Sequence, residues 1–111
     1  EFQIAKGLFQ DNLYSASVIQ LKNFLRKFPT SPHANDARFL LAKAYFFQQN
    51  YEKAIQTFKT LLGSPNTLSY AEESLYYLGL SYFQIKDYTN ASATLNKLAT
   101  NFPTSRFIDK A

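Results

Sequence analysis

The sequence predicts an all-α fold in which three helix–turn–helix units stack in a row as an αα solenoid. Three observations carry that reading. First, an aromatic residue, a small residue and two large apolar residues recur at one spacing: Tyr14, Ser17, Leu21, Phe24; then Tyr51, Ala54, Phe58, Leu61; then Tyr88, Ala91, Leu95, Leu98. Each set lies 37 residues from the next with no insertion, and within a set the spacing puts all four side chains on one face of a helix. Second, the stretches between them have helical periodicity of their own, and none shows the alternation of a strand. Third, a repeat of this length is one supersecondary unit that buries its apolar face only against a neighbour, so the units must stack.

The elements follow in order. Phe2, Ala5, Leu8 and Phe9 predict a first helix over 2–10, and Asp11-Asn12 is the turn after it. The second, over 14–28, stops at Phe28-Pro29, because proline lacks the N–H and restricts the residue before it. Ser31 is expected to cap the third helix, over 33–48, with Pro32 at its first position; that helix carries Ala34, Ala37, Leu41, Ala42 and Tyr45. Asn50 is expected to cap the fourth, over 51–62, and Gly63 to end it as a left-handed stop. After the irregular joint Ser64-Pro65-Asn66-Thr67, the pair Ser69 and Glu72 has the spacing of a capping box and opens a fifth helix over 69–85. Asp87 caps the sixth, over 88–101, which stops at Phe102-Pro103. Thr104-Ser105 restates Thr30-Ser31, so Arg106 to Ala111 is expected to be the first turn of a seventh helix. The chain is read as a single domain with repeats over about 1–33, 34–69 and 70–105, and as a piece of a longer protein.

Aligning the first helix of each unit on the same period brings Ala5, Ala42 and Gly79 into register. A small residue there lets the two helices of a unit approach within the roughly 8–10 Å of good packing, with Ser17, Ala54 and Ala91 as the matching small surface.

Composition excludes more than it suggests. The chain has 111 residues, no cysteine, no methionine and one histidine, His33. Aromatic residues make up 17%, all Phe or Tyr, and that much aromatic surface demands a use. No apolar run approaches the roughly 20 residues that span a bilayer. Catalysis has little to stand on. His33 has no partner at helical spacing, Glu72 and Glu73 point different ways on a helix, and Gly7, Gly63 and Gly79 are isolated rather than a phosphate loop. No metal, cofactor or nucleophile is expected, and the protein is not expected to be an enzyme.

These residues carry a resemblance to the tetratricopeptide repeat (TPR) family. The third repeat matches best, with Leu78-Gly79, Tyr82, Tyr88, Ala91 and Pro103. The second has Leu41-Ala42, Tyr45, Tyr51, Ala54 and Phe58, and the first is degenerate, with Leu8 and Ser17 at two of the motif positions. The resemblance spans the chain and implies a right-handed superhelix whose first helices, the A helices, line a concave wall. The period of 37 is longer than the usual 34 or so, and the joints Phe28 to Ser31 and Phe102 to Ser105 both read Phe-Pro-Thr-Ser. In both respects the chain is similar to a bacterial cell-envelope branch that includes YbgF (CpoB) of the Tol-Pal system and the BamD lipoproteins of outer-membrane protein assembly. That likeness implies the periplasm or the periplasmic face of the outer membrane, with the cytoplasm as the alternative.

In that geometry the face of the A helices turned inward holds Phe2, Lys6 and Phe9; then Phe39, Lys43 and Phe46; then Tyr76, Leu80 and Phe83; Phe47 sits at its edge. The expected function is a non-catalytic groove for a peptide or helix of a partner protein, with aromatic anchors and with Lys6 and Lys43 taking an acidic group. The family's carboxylate clamp is not expected, because Phe2 and Phe39 occupy positions where a clamp puts polar groups. The rival is a structural or self-assembling scaffold that stacks through its exposed ends, where Leu95, Leu98 and Phe102 await a following helix that Phe107 and Ile108 only begin to supply. Lys22, Arg26, Lys27, Lys53, Lys59 and Lys97 fall on the B helices, spaced out and mixed with Glu52 and Asp87. They read as a solvated face, and no nucleic-acid partner is expected; nor is direct membrane insertion.

Overall fold

The computed structural model of the protein describes residues 2–108, and across them the chain forms α1 (Phe2–Gln10), α2 (Tyr14–Lys27), α3 (Ala34–Phe47), α4 (Tyr51–Leu62), α5 (Leu68–Gln84) and α6 (Tyr88–Asn101). No strand occurs among the described residues. Glu1 and the 109–111 part of the expected seventh helix lie outside them. Ser105 to Ile108 form a turn that brings Phe107 into the core, 8% exposed, against Leu98 and Tyr76.

The odd-numbered A helices and even-numbered B helices meet where the small residues predicted. Ala5, Ala42, Ala54 and Ser17 have no exposed surface, and Ala91 has 4%. Ser17 stands where the other repeats have alanine because its hydroxyl donates to the Ala5 carbonyl at 3.1 Å. At the third crossing glycine gives the closest approach: a Cβ on Gly79 would lie 2.6 Å from Leu95 Cδ2 and 2.7 Å from its Cγ, so the Leu95 side chain would have to move.

All three A-to-B joints close in the same way. The N–H groups of Leu13, Asn50 and Asp87 each donate to the carbonyl five residues back, at 2.9 Å in every case. The residue before each of them is left-handed: Asn12, Gln49 and Lys86, with φ of 64°, 66° and 67°. This is the Schellman type of helix stop, made here without glycine. For a residue with a Cβ that conformation costs about 1–2 kcal/mol. Gln49→Gly is therefore expected to raise stability by about 1 kcal/mol, read from urea unfolding. The same change at Gln48, which is right-handed at φ −77°, is expected to lower it.

Four expected helix ends differ. Gly63 is right-handed at φ −84°: α4 winds out through ordinary bonds from Gly63 N–H to Lys59 and from Ser64 N–H to Leu61, and the chain turns left-handed at Asn66 instead. The capping box does not form, because α5 starts at Leu68, one residue early, and the Thr67 hydroxyl turns back to the Ser64 carbonyl. Asn50 occupies the cap position of α4 but its side chain makes no cap bond. Ser31 does accept a backbone N–H, from His33 at 3.1 Å, yet a tight turn closed by Ala34 N–H to Ser31 O delays α3 to Ala34. Ser105 repeats that turn on Phe107. Asp87 caps α6 as expected, accepting from Asn90 N–H.

Neighbouring A helices touch, α1 with α3 and α3 with α5, and the B helices α2 and α4 pack on the A helices that follow them, α3 and α5. Among the described residues no two B helices pack together. The stack is thus tight along its A side and open along its B side, which makes the A side concave. This is a TPR-like helical repeat fold.

Candidate protein-binding groove

The A-helix face is built around Lys43. Its ammonium lies 4.7 Å from the centre of the Phe39 ring, 5.5 Å from Phe9 and 5.9 Å from Tyr77, and it pairs with Glu73 at 2.9 Å. Three successive A helices contribute to this cage, because i, i+4 spacing sets Phe39 below Lys43 on α3 while α1 and α5 flank it. The ring faces attract the cation, and the carboxylate neutralises it. Tyr77 also stacks parallel to Phe58 and meets Phe46 and Phe47 edge-on. Burial first, and then the Glu73 carboxylate, push its phenol above the ordinary value.

Toward the start of the A helices lies a pocket of about 260 Å³, lined by Phe2, Lys6, Asp36, Phe39, Leu40 and Tyr70. Tyr70 closes it by donating its hydroxyl to Asp36 and by setting its ring 5.1 Å from Phe39. Lys6 is exposed at its mouth. Phe2 is 8% exposed and forms a wall, held from behind by the Phe24 and His33 rings.

The structure therefore brings Phe2, Lys6 and Phe39 together in one pocket, and Phe9, Phe39 and Lys43 in the adjoining cage. Phe47, 40% exposed, stacks on Tyr14 at the rim. Phe46 is spent on packing between Tyr51 and Tyr77, and Tyr76 on stacking against Phe107. Leu80 is half-buried. Phe83 is exposed and paired edge-on with Tyr88, without a ring contact to the cage. Lys43, expected to await a partner's acidic group, already has one in Glu73.

Sequence reasoning missed Glu73, Tyr77, Asp36 and Tyr70. A signal for the two carboxylates was present: Asp36 and Glu73 are one period apart, as are Lys6 and Lys43. Each lysine stands 30 residues before an acid of the next repeat. One such pair forms the ion pair, and the other two residues line the pocket.

Among the described residues no helix is long and apolar enough to cross a membrane. Against known protein families, residues 2–111 match YfiO, described as an outer membrane lipoprotein. No curated protein matches the chain.

Proposed function

The chain belongs to the YfiO family of outer membrane lipoproteins, and we propose that it holds a peptide or helical segment of a partner protein in the groove of its A helices, in the service of envelope assembly. The family faces the periplasm and its members are non-catalytic lipoproteins, so the work of the domain is recognition. The observation that carries the reading is the 260 Å³ pocket walled by Phe2, Phe39, Leu40 and Tyr70 with Lys6 at its mouth. It is a socket for an apolar side chain beside a cation for an acidic one, the pairing that anchors segments in helical grooves. The Lys43–Glu73 pair is the floor of the groove, and Phe9 and Phe47 extend its apolar wall toward the joints.

The test is titration of a partner, obtained by cross-linking to the intact protein, against single variants. Phe39→Ala is expected to weaken binding by about 2 kcal/mol or more, as for an interface hot spot. Lys6→Ala should cost less and flatten the salt dependence. Arg26→Ala, on a B helix, should leave affinity unchanged. Full affinity for Phe39→Ala together with loss for Arg26→Ala moves the site off the A helices.

A further inference from the structure

Because B helices do not pack on one another, grooves open between them on the outer side, each floored by the A helix in between. The first, between α2 and α4, has a volume of about 280 Å³ and is lined by Leu25, Arg38, Leu41, Gln56, Thr57 and Thr60. The second, between α4 and α6, measures about 360 Å³; Leu62, Leu75 and Leu78 line it with Thr94, Lys59 and Lys97. These are the same groove twice. Leu25 and Leu62, Leu41 and Leu78, Thr57 and Thr94, and Thr60 and Lys97 are each one 37-residue period apart.

Charge is divided between the two sides of the stack. The A helices carry Lys6, Arg38 and Lys43 against Asp36, Glu72 and Glu73, a balance. The B helices carry six basic residues against one carboxylate, Glu52. Neither groove is lined by an acid. Glu52 lies in the first turn of α4 and Asp87 caps α6, whereas the grooves run along the later turns, from Gln56 to Leu62 and from Thr94 to Lys97.

We infer that this outer face is a second protein-docking surface, whose occupant is an acidic partner segment with two apolar side chains, one for each groove. Its carboxylates meet Lys59, Lys97 and Arg38, and its apolar groups cover the leucines on the floors. The B helices do not pack on one another, so the two grooves, one on each side of α4, stand further apart than the roughly 8–10 Å of packed helices. Four residues of extended chain span about 13 Å at roughly 3.3 Å each and turn both side chains to the same face. The leucines lie deep, with Leu41, Leu75 and Leu78 at 8%, 5% and 5% exposure. A side chain reaches them between the B helices, and a flat layer of lipid headgroups does not. Opposite charge supplies attraction and orientation, and the grooves supply register.

The experiment is a selection of displayed twelve-residue random peptides on the whole protein, followed by titration of the enriched sequences. Enrichment of acidic peptides with paired apolar residues four apart is expected. Their affinity should fall at least tenfold for the exposed double variant Lys59→Gln/Lys97→Gln and for Thr94→Tyr, which fills the second groove. It should stay within twofold for Lys53→Gln, which removes charge from the same face away from the grooves. Three results overturn the inference: no acidic enrichment, equal loss for Lys53→Gln, or undiminished binding to the double variant. A fourth is co-sedimentation of the protein with phosphatidylglycerol–phosphatidylethanolamine vesicles, lost in the double variant, when no acidic peptide is selected; that assigns the face to a membrane.

Discussion

Phe58→Ala is expected to lower the stability of the protein by about 3–5 kcal/mol, with a fall in thermal midpoint of roughly 4 °C or more for each kcal/mol. The side chain has no exposed surface, and its ring lies parallel to Tyr77 with centres 6.3 Å apart. It fills the junction of α4 with α5, so its removal leaves a cavity that two helices would have to close together. Phe58→Leu is the informative companion. Leucine occupies the same register at Leu21 and Leu95, and the smaller change in volume should cost well under half as much. If both variants lose the same small amount, the residue is not the inter-repeat wedge described here.

Gly79→Leu is expected to destabilise by roughly 1–3 kcal/mol through overpacking. The reason is local: the first carbon added already falls within 2.7 Å of two Leu95 carbons. Gly79→Ala is milder, since the gain of about 1 kcal/mol in helix propensity offsets part of the crowding. Leu95→Ala in the Gly79→Leu background should recover part of the loss, and a double-mutant cycle measures that coupling. A melting temperature unchanged by Gly79→Leu counts against close crossing of α5 and α6.

The pattern of the helices was legible because the same spacing is written three times. Ala5, Ala42 and Gly79 could be matched with Ser17, Ala54 and Ala91 before any geometry was known, since only a close crossing needs small residues on both sides. The joints were not legible in the same way. Main-chain bonds impose the left-handed turns at Asn12, Gln49 and Lys86, and nothing about glutamine or lysine announces them, whereas Gly63 advertises a stop that ordinary helical bonds make unnecessary. In the groove, helical spacing put Phe39 and Phe46 on one side of α3 but could not say which neighbour each would meet. Contact with α5 decides it: Tyr77 takes up Phe46, while Phe39 keeps an open edge toward the pocket. Glu73 was hidden by its neighbour, since Glu72 drew attention as a cap and the pairing with Lys43 runs between repeats rather than within a helix.

The A-to-B joints have a consequence for how such a chain can change over time. Their closing bonds run from main chain to main chain, and three unrelated side-chain sets, Asp11-Asn12-Leu13, Gln48-Gln49-Asn50 and Ile85-Lys86-Asp87, produce the same bend. Substitution at the joints can drift among residues that accept a left-handed backbone at the central position without altering the angle at which the next helix leaves. A unit copied in frame would arrive with its own bend already set and would meet either neighbour at the spacing that neighbour is built to receive. Length in this architecture can therefore grow or shrink by whole units, while each groove surface is tailored side chain by side chain on a frame that stays constant.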